Sequence, residues 1–154
     1  MSIKQLVARQ YRENVNSTAN QASSISIPDE GWIRTVRKAL SMSGTQLAKR
    51  LNVSKGLISN TEKAELSGGV TLRNMQNMAE AMNCRFIYAI VPESSVEDII
   101  HYQAVKKASA QVKEASIQMA LEDQALSKTQ LQAEIDRISK ELQDNPTSDL
   151  WNEE

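Results

Sequence analysis

The chain has 154 residues, with 18 Lys and Arg against 19 Asp and Glu, a formal charge of −1. Only 5 Gly, 3 Pro and 4% aromatic residues exclude a β-sandwich or barrel, which needs many turns and large core side chains. One cysteine (Cys84) excludes an internal disulfide or a multi-Cys zinc site, and one histidine (His101) leaves little for metal binding or general-base chemistry.

The near-neutral total conceals a segregation. Residues 1–92 hold twelve basic and six acidic side chains, a net +6, whereas residues 93–154 hold six and thirteen, a net −7. A basic part suits a polyanion partner, and an acidic part suits a protein partner or a competitor for the basic surface. The first residues contain no signal-peptide apolar stretch. The longest apolar run, Phe86–Val91, is six residues, where a membrane span needs about 20. A soluble, cytoplasmic protein without a membrane partner is expected.

Taken in chain order, Ile3, Leu6, Val7 and Tyr11 fall at helical spacing, predicting a short amphipathic helix. Asn14–Ser26 is rich in polar turn formers and reads as a linker. Pro28-Asp29 supplies a helix start with Asp29 as cap, followed by Ile33, Val36 and Leu40 on one face. Ser43 caps the next helix, whose buried stripe is Leu47, Ala48 and Leu51. Asn52 ends it, because asparagine tolerates the left-handed conformation of a tight turn. Ser54 caps a third helix that turns Leu57, Ile58 and Thr61 inward and leaves Gly56, Ser59, Asn60 and Lys63 outward. Small Ala48 lets the two helices cross closely.

After a loop over 64–70, Thr71 caps a helix with Leu72, Met75, Ala79 and Met82 inside. The β-branched and aromatic run 85–92 reads as one strand. A lone strand cannot satisfy its own backbone. Residues Phe86, Ile87, Tyr88, Ala89 and Ile90 are therefore expected to pair with a symmetry mate, or else within their own chain. Residues 95–143 read as helical, with Ser127 and Gln130 as a capping box ahead of Leu131, Ile135, Ile138 and Leu142. Trp151, in an acidic terminus, either anchors a partner or folds back on this tail. Ser67-Gly68-Gly69 is a turn, since a phosphate loop would end in a GK[ST] element.

The run SGTQLAKRLNVSKGLISNTEK (43–63) resembles the helix-turn-helix of the xenobiotic-response-element class, which includes phage repressors and many antitoxins. Its skeleton is Leu47-Ala48, Leu51, Val53-Ser54, Ile58-Ser59 and Glu62. GWIRTVRKALSMS, the segment ending in YAIVP, and LEDQALS (121–127) add a closer resemblance to the "mobile mystery protein A" family over roughly residues 28–151. Gly44 stands where the wider class commonly has glutamine, and Thr61 where it prefers a large apolar residue.

The resemblance implies an all-α, lambda-repressor-like bundle of four or five helices, followed by the strand paired across a dimer and a helical C-terminal extension. The expected parts are an N-terminal helix and linker (1–27), the DNA-binding domain with its strand (28–92) and an acidic helical tail (93–154). It places Lys55, Gly56 and Asn60 where base edges are read. Lysine can donate to guanine, asparagine can pair with adenine, and glycine permits close approach. Thr45, Gln46, Lys49, Arg50, Ser54, Ser59, Lys63 and Arg73 are expected on phosphates.

The function implied is sequence-specific transcriptional regulation by a homodimer, most simply an autorepressor on a double-stranded DNA operator. No cofactor, metal or enzyme activity is expected of it. The resemblance further implies an operon that also encodes a Fic-domain AMP-transferase, with Tyr102 as a possible AMP acceptor. The alternative is an antitoxin-like inhibitor whose tail binds the Fic enzyme, with DNA binding secondary.

Overall fold

Short polar side chains start nearly every helix of this chain. In the computed structural model, which describes residues 2–152, seven α-helices and one 3-10 turn follow each other. They are α1 (Ile3–Ala22), α2 (Trp32–Ala39), α3 (Gly44–Leu51), α4 (Lys55–Ser67), α5 (Leu72–Ala81), α6 (Val96–Leu121), α7 (Lys128–Asp144) and the turn Ser148–Trp151. The hydroxyls of Ser2, Ser43, Ser54, Thr71, Ser95 and Ser127 each accept from a backbone N–H in the first turn, meeting donors that the helix leaves unpaired. Ser2, Ser43 and Ser127 complete reciprocal capping boxes with Gln5, Gln46 and Gln130.

The helix ends share a second device. Ser41, Asn52, Gly68, Asn83 and Asp123 take positive φ. The N–H of the next residue then bonds back five positions: Met42 to Arg37, Val53 to Ala48, Gly69 to Ala64, Cys84 to Ala79, and Gln124 to Met119. These are Schellman closures, which satisfy carbonyls orphaned at the helix end.

By contacts the chain forms two units, residues 24–89 and residues 1–23 together with 90–154. In the first, Ile33, Leu47, Ala48, Ile58, Met75, Met78 and Met82 make one buried cluster, with Val36, Leu51, Val53 and Phe86 packed on it. Leu57 is not part of it: the third predicted helix turns Ile58 and Thr61 inward but leaves Leu57 exposed. Thr61 is buried with its hydroxyl donating to the Leu57 carbonyl at 2.7 Å, which removes the penalty of a polar group inside. Cys84 is exposed, its Sγ donating to the Met82 carbonyl.

In the second unit α6 and α7 form a hairpin. Its seam is made by Ala104, Ala108 and Val112 on α6, with Ser139 on α7. Alanines at i and i+4 permit close approach, and Ser139 Oγ accepts from Gln143 Nε2 at 2.9 Å. The 3-10 turn buries Leu150 and is tied to α6 by Gln103 Nε2, which donates to the Leu150 carbonyl, and by Lys107 Nζ on the Asp149 carbonyl. Trp151 remains exposed, so the neighbouring leucine anchors the terminus.

Leu40 and Leu72, expected on inner faces, are exposed as well, and two larger expectations fail. Residues 86–90 form no strand, and no strand is present among the described residues. Phe86 is drawn onto the core cluster and stacks with Tyr88 at 6.0 Å between ring centroids, while Ile87, Tyr88 and Ile90 stay exposed. β-Branched composition favours a ladder only where a second strand supplies the hydrogen bonds, and none is present among the described residues. The linker predicted over 14–26 is helical to Ala22. Its polar residues are used: the Val96 N–H donates to Asn16 Oδ1 at 2.9 Å, and Asn16 Nδ2 donates to Glu97 at 2.7 Å.

Candidate nucleic-acid interface

The helix-turn-helix lies in the unit of residues 24–89. α3 buries Leu47 and Ala48, α4 buries Ile58 and Thr61, and three residues join them. Ser43 and Ser54 fix the two starts, and Asn52 at φ 56°, ψ 46° makes the left-handed turn expected of it.

α4 is held from behind by two carboxylates. Glu62 pairs with Arg37 of α2 at 2.7 Å, both side chains only 14% exposed, and Arg37 Nη1 also donates to the Met42 carbonyl at 3.1 Å. A charge pair this secluded, with a further hydrogen bond on the guanidinium, fixes the angle of α4 against α2. Glu65 does what Asp29 was expected to do. Its carboxylate accepts from the Trp32 and Ile33 N–H groups at 2.6 and 2.9 Å, capping α2 from 32 and 33 residues away. The positional cap of α2 is Gly31, which has no side chain to offer and takes φ 84°. A Cβ there would stand 2.9 Å from the Glu65 carboxylate.

With its inner face so occupied, α4 presents Lys55, Gly56, Ser59, Asn60 and Lys63 to solvent. Residues 55/56, 59/60 and 63 repeat at one-turn intervals, so they share one face. Nothing but the Ser54 hydroxyl, at 4.0 Å, lies near the site of a Cβ on Gly56. The fold itself does not require glycine there.

The other residues expected on phosphates divide into two groups. Thr45, Lys49, Lys63 and Arg73 are exposed and, among the described residues, enter no ion pair. Gln46, Ser54 and Arg50 have structural duties. Gln46 Oε1 accepts from the Ser43 N–H at 2.8 Å, the Ser54 hydroxyl caps α4, and Arg50 Nε donates to the Ala81 carbonyl at 2.5 Å, tying α3 to the end of α5. The Arg50 and Glu65 contacts join residues about thirty positions apart, so local periodicity carried no signal of them.

Electrostatics favour an anion on this unit. Residues 24–89 carry nine basic and five acidic side chains, a net +4. Of the five carboxylates, Glu30, Glu62 and Glu65 are occupied by Lys38 and Arg34, by Arg37, and by the start of α2. The Lys38 hydrogen bond holds the Glu30 carboxyl below its ordinary range, helped by the charges of Arg34 and Arg37.

No helix of the described residues is long and apolar enough to cross a membrane. No curated protein and no solved structure matched the chain. Residues 33–88 match a family model described as helix-turn-helix, and this segment supports a DNA-binding regulator of the xenobiotic-response-element type.

Proposed function

We propose that the protein is a cytoplasmic autorepressor that reads a two-fold operator as a homodimer. The observation that carries this reading is the exposed face of α4, bearing Lys55, Gly56, Ser59, Asn60 and Lys63 in the matched segment. A recognition helix enters the major groove with its N-terminal residues at base edges, while neighbouring elements hold phosphates. Lys55, Gly56 and Asn60 are the base readers, and Thr45, Lys49, Ser59, Lys63 and Arg73 serve the backbone.

From the resemblance to the "mobile mystery protein A" family we further infer a Fic-type AMP-transferase in the same operon, with Tyr102 as a candidate acceptor. Tyr102 is exposed on α6 of the single chain, so transfer to it would compete with any contact that covers this ring.

Footprinting of the full chain on its own upstream DNA tests the main reading. Lys55→Ala and Asn60→Ala relax sequence preference by about 1–3 kcal/mol each, whereas Lys49→Ala weakens all sequences alike and flattens the salt dependence. Gly56→Ala is the cleanest probe, because the helix has room for the methyl group and any lost affinity comes from the DNA side. Retention of full operator affinity in all three α4 variants contradicts the assignment.

A further inference from the structure

The first half of α1 carries an exposed apolar stripe. Ile3, Leu6, Val7 and Tyr11 recur at i, i+3, i+4 and i+8. Every residue from Ser2 to Tyr11 is exposed, Ile3 at 82% and Tyr11 at 71%. The helix is anchored through its second half alone, where Asn16 binds the Val96 N–H and Glu97, and Arg12 stands 3.7 Å from Glu97. Helical residues without tertiary packing are marginal in water, since most helical stability in proteins comes from a covered apolar face.

The same unit holds a groove of matching character. At the start of α6 and against the 3-10 turn, Ile99, Tyr102 and Trp151 form an apolar wall beside Glu93 and Asp98, with no cation among the lining residues. Tyr102 is 72% exposed and Trp151 53%. The α1 segment carries the opposite charge: Lys4 enters no ion pair among the described residues, whereas Arg9 is paired with Glu13 at 2.9 Å and Arg12 stands 3.7 Å from Glu97. Within one copy the helix and the groove do not meet, since residues 2–11 are exposed and none of them lines the groove.

We propose that residues 3–11 of α1 dock into the Tyr102–Trp151 groove of a second copy, the two copies exchanging their N-terminal helices about a two-fold axis. Each copy supplies one helix and one groove, so a single complementary pair is used twice, as an isologous interface requires. Tyr11 and Leu6 meet the aromatic wall, and Lys4 faces Glu93 and Asp98. The second copy is the fitting occupant because both halves of the match, apolar and electrostatic, reside in the same chain. This inference rests on the homodimer of the proposed function and gives it an interface.

The test is sedimentation equilibrium of the full chain without DNA, together with zero-length carbodiimide cross-linking of an equimolar mixture of isotope-labelled and unlabelled protein. A dimer is expected, with mixed-isotope links from Lys4 to Glu93 or Asp98. Leu6→Glu and Trp151→Ala, both at exposed positions, should each raise the dimer dissociation constant at least tenfold without loss of helix by circular dichroism. Lys4→Glu and Glu93→Lys should each weaken the dimer, and their combination should restore it. A monomer at all concentrations, or a dimer unmoved by Leu6→Glu or by Trp151→Ala, overturns the docking. A monomer that still footprints the operator leaves DNA reading intact, whereas a cross-linked dimer that ignores the operator overturns DNA reading and leaves the interface standing.

Discussion

Residues 24–89 bury Ile33, Leu47, Ile58 and three methionines in one cluster, whereas the unit of α1, α6 and α7 closes on Ala104, Ala108, Val112, Ser139 and Leu150. The first unit leaves Ile25, Ile27, Trp32, Leu40, Leu57, Leu66, Leu72, Ile87 and Tyr88 exposed. The second leaves Ile3, Tyr11, Ile99, Tyr102, Ile117, Leu121 and Trp151 in water. Small residues make a thin seam that can hold two helices together without using the rest of their apolar surface. The two units therefore differ in how their cores are built, from large side chains in the positive one and small ones in the negative one, and not in how much apolar surface they leave in water.

Removing one buried leucine-sized side chain from each unit should separate the two cores most strongly. Ile58→Ala removes contacts from the centre of the seven-residue cluster and should cost about 2–5 kcal/mol. Operator binding and thermal stability should fall together. Leu150→Ala removes an equally buried side chain, but only from the 3-10 turn at the end of the chain. It should free the terminus to proteolysis and leave operator affinity unchanged. Equal loss of DNA binding in both variants would show that the tail supports the reading head.

A second pair of changes addresses the long-range cap. Gly31→Ala places a methyl group against the Glu65 carboxylate in a backbone conformation that L-residues avoid, and should cost about 1–3 kcal/mol. Glu65→Ala removes the cap alone and should cost about 1–2 kcal/mol. Because the clash with the Glu65 carboxylate is part of the Gly31→Ala loss, the double variant should be less destabilised than the sum, which denaturant titration of the four proteins measures.

In the tail, Ala108→Leu tests the thin seam. Ala108 has no exposed surface, so the added carbons must separate α6 from α7 at a cost of about 1–3 kcal/mol. Hydrogen exchange should rise along α6 and α7 while the amides of α3 and α4 remain protected.

The contrast between the units also marks what could be read from the residues. α3 and α4 were legible because every determinant is local: Ser43 and Ser54 as caps, Asn52 as the left-handed stop, Ala48 at the crossing. The buried face of α5 was legible from Met75 and Met82 for the same reason. α1 was under-read because Asn14–Ala22 has poor helix formers, and its use of Asn16 lies eighty residues away on α6. Asp29 looked like the cap of α2, yet Glu65 performs that task across the bundle. The run at 85–92 has strand composition but no partner, and a core contact for Phe86 took precedence. In the site, exposure of Lys55, Gly56, Ser59 and Asn60 followed from the helical period, whereas the structural employment of Gln46 and Arg50 depended on tertiary neighbours.

The smallest expected effect compares one surface ion pair from each unit. Lys38 Nζ, 3.0 Å away, holds the Glu30 carboxyl below its ordinary range, and Arg34 and Arg37 assist. On α7 the Arg137 hydrogen bond does the same for Glu134. A carboxylate lowered in the folded state adds stability that is present above its unfolded value and is lost as pH falls through the folded one. Both groups are exposed, so salt screens them and the contributions are small. They differ in what they connect: Glu30 lies ahead of α2 and reaches Lys38 near its end, whereas Glu134 and Arg137 are three residues apart on one helix. Glu30→Gln should therefore lower the melting temperature slightly at neutral pH, with the difference vanishing below the carboxylate range and at high salt. Glu134→Gln should move it less, because α7 already holds both partners in place and the pair only decorates a helix that is formed without it.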